Sequence, residues 1–213
     1  MIRAYDEMYL DDAMRNLAEA MDYAANSCKV DMDSFMELFI GTGLAEKFEK
    51  AVPKYVSGLS GTELVMEVFS RANFTNEFPP AQIEYDYSKE YWCGWILAYY
   101  QWYSKRSFKE IKNYITMQEI GRMYYTLHEA SELKFVDVLN DIIKKKDLPT
   151  KLQTQRKISG YSQRELADKA EINIRTLQQY EIRAKDINKA AGITLLSLAN
   201  VLGCQIEDLL EKD

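Results

Sequence analysis

Four stretches of this chain open with the same chemical device. Ser60-Gly-Thr-Glu63, Ser107-Phe-Lys-Glu110, Thr116-Met-Gln-Glu119 and Ser162-Gln-Arg-Glu165 each set a hydroxyl three residues ahead of a carboxylate. At that spacing the hydroxyl accepts from the glutamate's backbone N–H. The carboxylate in turn accepts from the backbone N–H of the serine or threonine, so two unpaired amides of a helix start are satisfied. Each box therefore fixes a helix N-terminus. Around them, apolar residues recur at spacings of three and four, as in Leu10, Met14, Leu17, Met21 and Ala24 within residues 5–26. Asp31 or Asp33 can cap a second helix with Phe35, Leu38 and Phe39 inward. Gly41 and Gly43 interrupt or end it, and residues 44–50 resume it. Residues 53–58 read as a turn. Residues 72–87, with Pro79 and Pro80 and no clear period, read as a loop. No convincing pair of alternating strands stands out, so the fold class is all-α.

The aromatic residues concentrate in SKEYWCGWILAYYQWYSKRS. Trp92, Trp95, Tyr99 and Trp102 fall on one helical face, and Cys93, Leu97 and Tyr100 on another. A helix apolar nearly all round is expected at the centre of a core. A ligand pocket lined by residues 91–103 is the second reading, since such pockets are largely aromatic. Ser131 starts a helix with Phe135, Val138, Leu139 and Ile142 inward, ending in Lys144, Lys145 and Lys146, which suit the negative end of a helix dipole. Asp147-Leu148-Pro149 is the expected boundary between two domains, residues 1–147 and 148–213, because the residue before a proline leaves the helical region.

Charge divides along the same line. The 213-residue chain carries net −6. Residues 1–147 hold 17 Lys/Arg against 24 Asp/Glu, a net −7, while residues 151–190 hold nine against five, a net +4. An acidic domain and a basic one suit different partners: the basic one nucleic acid, the acidic one a basic protein.

Beyond Pro149 the pattern becomes specific. Leu152, Arg156 and Ile158 suit a first helix. Ser162 opens a second, with Leu166 and Ala167 inward. A turn through Glu171 and Ile172 leads to Asn173, a good N-cap, and to a third helix with Leu177 and Tyr180 inward. Ile193, Leu195, Leu196, Leu198, Ala199 and Leu202 form a fourth apolar stripe that Gly203 stops, and Ile206, Leu209 and Leu210 close the core. SQRELADKAEINIRTLQQYE followed by TLLSLANVLGCQIEDLLE resembles the Cro/C1-type (XRE) helix-turn-helix family over residues 152–210. The resemblance implies a five-helix domain whose third helix enters the major groove of double-stranded DNA. By it, Ile174, Arg175, Gln178 and Gln179 match base-facing or phosphate-facing positions. Arginine can fork onto guanine and glutamine onto adenine, while Ile174 either touches a thymine methyl or faces solvent. Gln163 matches a residue that bonds phosphate and braces the third helix, and Asn173 and Thr176 can bond phosphate near its N-terminus. The chain departs from the family pattern after Glu181, where IRAKDINKAAGI is longer and more basic. Arg183, Lys185 and Lys189 are expected to line the DNA backbone or to form a solvated loop.

The remaining signals exclude more than they assert. Cys28, Cys93 and Cys204 are too scattered for a disulfide framework or a zinc pair. His128 is the only histidine, and Gly41-Thr-Gly43 lacks the lysine of a phosphate loop. No enzyme, metal or cofactor is expected. No run approaches the roughly 18 apolar residues of a membrane helix, and the acidic start lacks a signal peptide's basic opening, so a cytoplasmic protein is expected. SFKEIKNYITMQEIGRMYY echoes the helix-turn-helix spacing. It is either a degenerate second copy or, as we favour, two ordinary antiparallel helices. The chain thus reads as a DNA-binding transcriptional repressor acting as a homodimer. In one version it is the autoregulating antitoxin of a toxin–antitoxin pair, its acidic half binding the toxin. In the other it is a stand-alone or mobile-element repressor whose N-terminal half dimerises or senses a ligand.

Overall fold

A computed structural model describes residues 3–74, 78–81 and 87–211. Half of the expected loop at 72–87 lies outside the described residues. Among those described, twelve α-helices and no strand are found, in agreement with the all-α reading. The chain divides into two compact units, residues 1–142 and 143–213.

The first unit contains α1 (Leu10–Asp22), α2 (Met32–Gly41), α3 (Leu44–Glu49), α4 (Gly61–Arg71), α5 (Lys89–Ser104), α6 (Phe108–Lys112) and α7 (Met117–Leu127). The next helix, α8 (Glu132–Asp147), runs through the division between the units. The capping boxes at Ser60, Ser107 and Thr116 all form. Of the two candidates for capping α2, Asp31 does so, accepting from Ser34 N at 3.0 Å. Asp33 instead accepts from Met117 N at 2.7 Å and Gln118 N at 3.1 Å, at the start of α7.

Two glycines let α1 be approached closely. A Cβ on Gly94 of α5 would collide with the backbone of Leu17 and Ala18, and one on Gly61 with that of Glu19 and Ala20. With hydrogen at both sites, α5 and the start of α4 press onto the Ala13, Leu17, Ala18 and Met21 face of α1, which is fully or almost fully buried. A second core is phenylalanine. Phe35, Phe39, Phe48, Phe69 and Phe108, from α2, α3, α4 and α6, are buried with ring centroids 5.8–6.4 Å apart.

Helix α5 corrects one expectation. Cys93, Ile96, Leu97, Ala98, Tyr100 and Trp102 are buried, but Tyr91, Trp92, Trp95 and Tyr99 are only half-buried. The helix is therefore covered on one side and not all round. Burial pushes the Cys93 thiol up to about 12, which makes it an inert apolar filler.

The second unit holds α9 (Lys151–Ile158), α10 (Gln163–Lys169), α11 (Ile174–Glu181) and α12 (Gly192–Leu202). Its core is Leu152, Leu166, Ala167, Ala170, Leu177, Tyr180, Ile187, Leu195, Leu198, Ala199, Leu202 and Leu209. The fifth element of the expected domain is a single 3-10 turn, Ile206–Asp208, which delivers Leu209 to the core. The unusual segment after Glu181 is pinned by another 3-10 turn, Ile187–Lys189, whose Ile187 is buried. Ile193 and Leu196, expected inward, are 72% and 46% exposed on α12. They lie off the 195/198/199/202 stripe that the core takes up.

Candidate nucleic-acid interface

The interface candidate is built by α10, a tight turn and α11. Leu166 and Ala167 of α10 and Leu177 and Tyr180 of α11 are buried together, so the two helices share one core. Glu171 makes the turn in the left-handed region, at φ +54°. Asn173 then caps α11, its Oδ1 accepting from Arg175 N at 2.8 Å. That spends the carboxamide oxygen and leaves the amide's NH2 as the group for an outside acceptor.

Beneath α11 lies a buried ion pair. Glu181, its side chain fully buried, accepts from Arg156 Nε at 2.6 Å and from Arg156 Nη2 at 2.9 Å. Arg156 Nη1 donates to Tyr161 O at 2.8 Å. The pairing with Glu181 raises the arginine's pKa further, so the guanidinium is fixed in its charged form. Gln163 Nε2 donates to Glu181 Oε2 at 2.8 Å, and Gln163 Oε1 accepts from Gln178 Nε2 at 3.3 Å. A chain of polar contacts thus runs from the core through Gln163 of α10 to Gln178 of α11. It holds both carboxamides before any ligand arrives.

The other candidate residues fall into three groups. Arg175 is exposed on α11, with Thr176 and Gln179 half-buried beside it. Ile174 is half-buried and packs against the domain core, so its main role is to seat the first turn of α11. The basic segment divides. Lys185 is exposed, and Lys189 is exposed with Asp186 3.6 Å away. Arg183 is engaged internally: at φ +58° it donates to Lys146 O at 3.0 Å and Leu148 O at 2.6 Å, and lies 3.5 Å from Glu211. To meet a phosphate it would have to release those carbonyls.

The sequence pattern sets Arg156 on the first helix and Glu181 at the end of the motif without pairing them. A signal was available. Each lies one helical turn after a core leucine, Leu152 and Leu177, and so on the buried face. Opposite charges at two such positions have to find one another.

The helix-turn-helix echo does not build a second site of this kind. Helix α6 has five residues, with Phe108 and Ile111 buried. The first amides of α7 are already taken by Asp33 and Thr116. A carboxylate at that helix start repels phosphate. The lone His128 sets Nδ1 2.8 Å from Tyr124 O at the end of α7. Among the described residues, no group of three or more His, Cys, Asp or Glu could hold a metal ion, and no helix is long and apolar enough to cross a membrane.

Comparison with known families matches residues 152–209 to a family described as helix-turn-helix. No curated protein and no solved structure matches the chain. The C-terminal region is a Cro/C1-type helix-turn-helix domain, the domain of a family of DNA-binding transcription regulators.

Proposed function

We propose, from the Cro/C1-type domain that residues 152–209 form, that the chain is a transcriptional repressor which binds an operator sequence-specifically through α11. The observation that carries this reading is the exposed Arg175 beside Gln178, whose carboxamide is fastened through Gln163 to the Arg156–Glu181 pair. Preorganised side chains of these types suit guanine and adenine edges in the major groove. Repression follows from occupancy of the promoter and needs no chemistry on DNA.

A single module of this size buries about 600–1,000 Å² on DNA, so specific binding calls for two modules on half-sites about one helical turn apart. The exposed Ile193 and Leu196 of α12 offer an apolar face for a second copy.

For the N-terminal unit, the net −7 of residues 1–147 favours a basic protein partner, the arrangement of an antitoxin that neutralises a toxin and represses their shared operon. A second reading, ligand sensing by a stand-alone repressor, is favoured by the half-buried aromatics of α5.

The test is binding of the full chain, alone and co-expressed with the neighbouring reading frame, to its own promoter at several salt concentrations. Arg175→Ala should weaken specific binding by about 1–3 kcal/mol. Lys185→Ala should weaken binding to all sequences alike and reduce the salt slope by about 0.9. A stoichiometric co-purifying protein supports the antitoxin version. Undiminished promoter binding by Arg175→Ala together with Gln179→Ala would overturn the assignment of α11.

A further inference from the structure

We propose that the aromatic cavity beside the first half of α5 binds an organic cation, an alkylated ammonium or guanidinium group. The cavity has a volume of about 320 Å³ and is lined by Tyr87, Tyr91, Trp92, Trp95, Tyr124 and His128. Two walls are distinct. On one, Tyr87 stacks on Tyr91 at 4.3 Å, and Tyr91 continues to Trp95 at 6.4 Å with the same 21° between planes. On the other, Trp92 meets Tyr124 edge-on at 5.7 Å and Tyr124 stacks on His128 at 4.6 Å. Tyr87 is 76% exposed and the two tryptophans only half-buried. A folded chain ordinarily withdraws such surface from water, so six rings that the described residues leave partly open to it mark a place suited to a guest that completes the burial.

The chemistry of the lining selects what that is. Ring faces are electronegative and attract a cation held over them, most strongly when it is desolvated. Among the described residues that line it, none is a lysine or arginine. Two carboxylates stand at the lining: Glu132, which accepts from Trp95 Nε1 at 3.3 Å, and Glu129, 3.7 Å from His128 Nε2. An anion would meet repulsion there, and a neutral guest would gain only apolar burial. The same helix already seats a guanidinium further along, where Arg3 lies 3.6 Å from the Tyr103 ring centroid and 5.0 Å from that of Trp102. The volume leaves room for a cationic head with a short chain, either a free metabolite or the end of a basic side chain.

This inference rests on the proposed reading of the N-terminal unit as a sensor or partner-binding domain, yet its failure is separable from that of DNA binding, because the two are measured independently on one preparation. Full-length protein is titrated with choline, with its neutral isostere 3,3-dimethylbutan-1-ol, and with N-acetyl-arginine amide, by calorimetry and by tryptophan fluorescence. Promoter binding is measured alongside. Saturable binding of choline or the arginine amide, at least tenfold tighter than the isostere, is expected. Tyr87→Ala, at an exposed position, and Glu132→Gln should each weaken it severalfold with the helical circular dichroism unchanged. The tighter of the two cations assigns the source: a free quaternary ammonium, or a basic side chain presented by a partner. Equal affinity for the neutral isostere, or no saturable binding of either cation, overturns the proposal and leaves the DNA-binding reading standing.

Discussion

At the scale of single residues, Glu181 contributes more than its place at the end of α11 suggests. It holds Arg156 through two hydrogen bonds and Gln163 through a third. Removing one partner of a buried pair leaves the other charge unpaired, so Glu181→Ala should cost the C-terminal domain about 3–5 kcal/mol in urea denaturation. Replacing both residues with methionine should return most of that stability, since well-packed apolar residues of similar size are often neutral substitutes. The double variant should nonetheless discriminate its operator less well, because Gln163 and Gln178 would have lost their anchor. The pair was half legible: the i, i+4 relation to Leu152 and Leu177 is local, whereas the meeting of α9 with the end of α11 is tertiary. Glu49 gives a residue-scale prediction in pH. Burial raises its carboxyl above the ordinary value, outweighing the stabilising N–H of Phe108, and the neighbouring Glu46 and Glu110 raise it further. A raised carboxylate pKa favours the fold when protonated, so this contribution is full below the unfolded value near 4.5 and is lost as pH rises through the folded one. Glu49→Gln, which can still accept from Phe108, should therefore stabilise the protein at neutral pH and make little difference in mild acid below the unfolded value, as read by thermal melts under the two conditions.

Among the elements, helix starts were the most legible features because their chemistry is local. All four capping boxes form where the serine, threonine and glutamate spacing puts them. What spacing cannot reveal is a cap delivered from afar: Asp33 serves α7 from 84 residues away. The aromatic α5 was legible as a helix but not in its burial. Its periodicity marks two apolar faces, and only packing against α1 decides which one the core receives. Gly94 makes that packing possible. Gly94→Ala should destabilise the protein by about 1–3 kcal/mol, because the added methyl meets backbone rather than a side chain that can turn aside. Gly41, at the end of α2, is the control, because a methyl added there would have no neighbour within 4 Å. There, alanine should be neutral or stabilising by up to about 1 kcal/mol. Chemical denaturation of the two variants side by side checks the contrast.

For the whole molecule, the charge pattern changes sign beyond residue 147, and the compact units divide close to that point. The proline places the boundary at Asp147-Leu148-Pro149, whereas the units part at 142/143 inside α8. A proline ends a helix, but packing can change hands before the helix stops. The proposed recognition residues of α11 follow from the motif, because it fixes their spacing. Arg183 was not, because its carbonyl partners precede the motif. If Ile193 and Leu196 form the face for a second copy, Ile193→Asp with Leu196→Asp should yield a monomer by sedimentation and weaken operator binding without unfolding the domain, since both side chains are exposed.

The grip of Arg183 on the Lys146 and Leu148 carbonyls bears on how the DNA-binding domain can be isolated. A fragment begun at Leu148, where the proline would place the cut, lacks the Lys146 carbonyl. It asks a left-handed arginine to keep its conformation with one acceptor fewer. A fragment begun at Ile143 retains both, and should show the slower amide hydrogen exchange through residues 182–186.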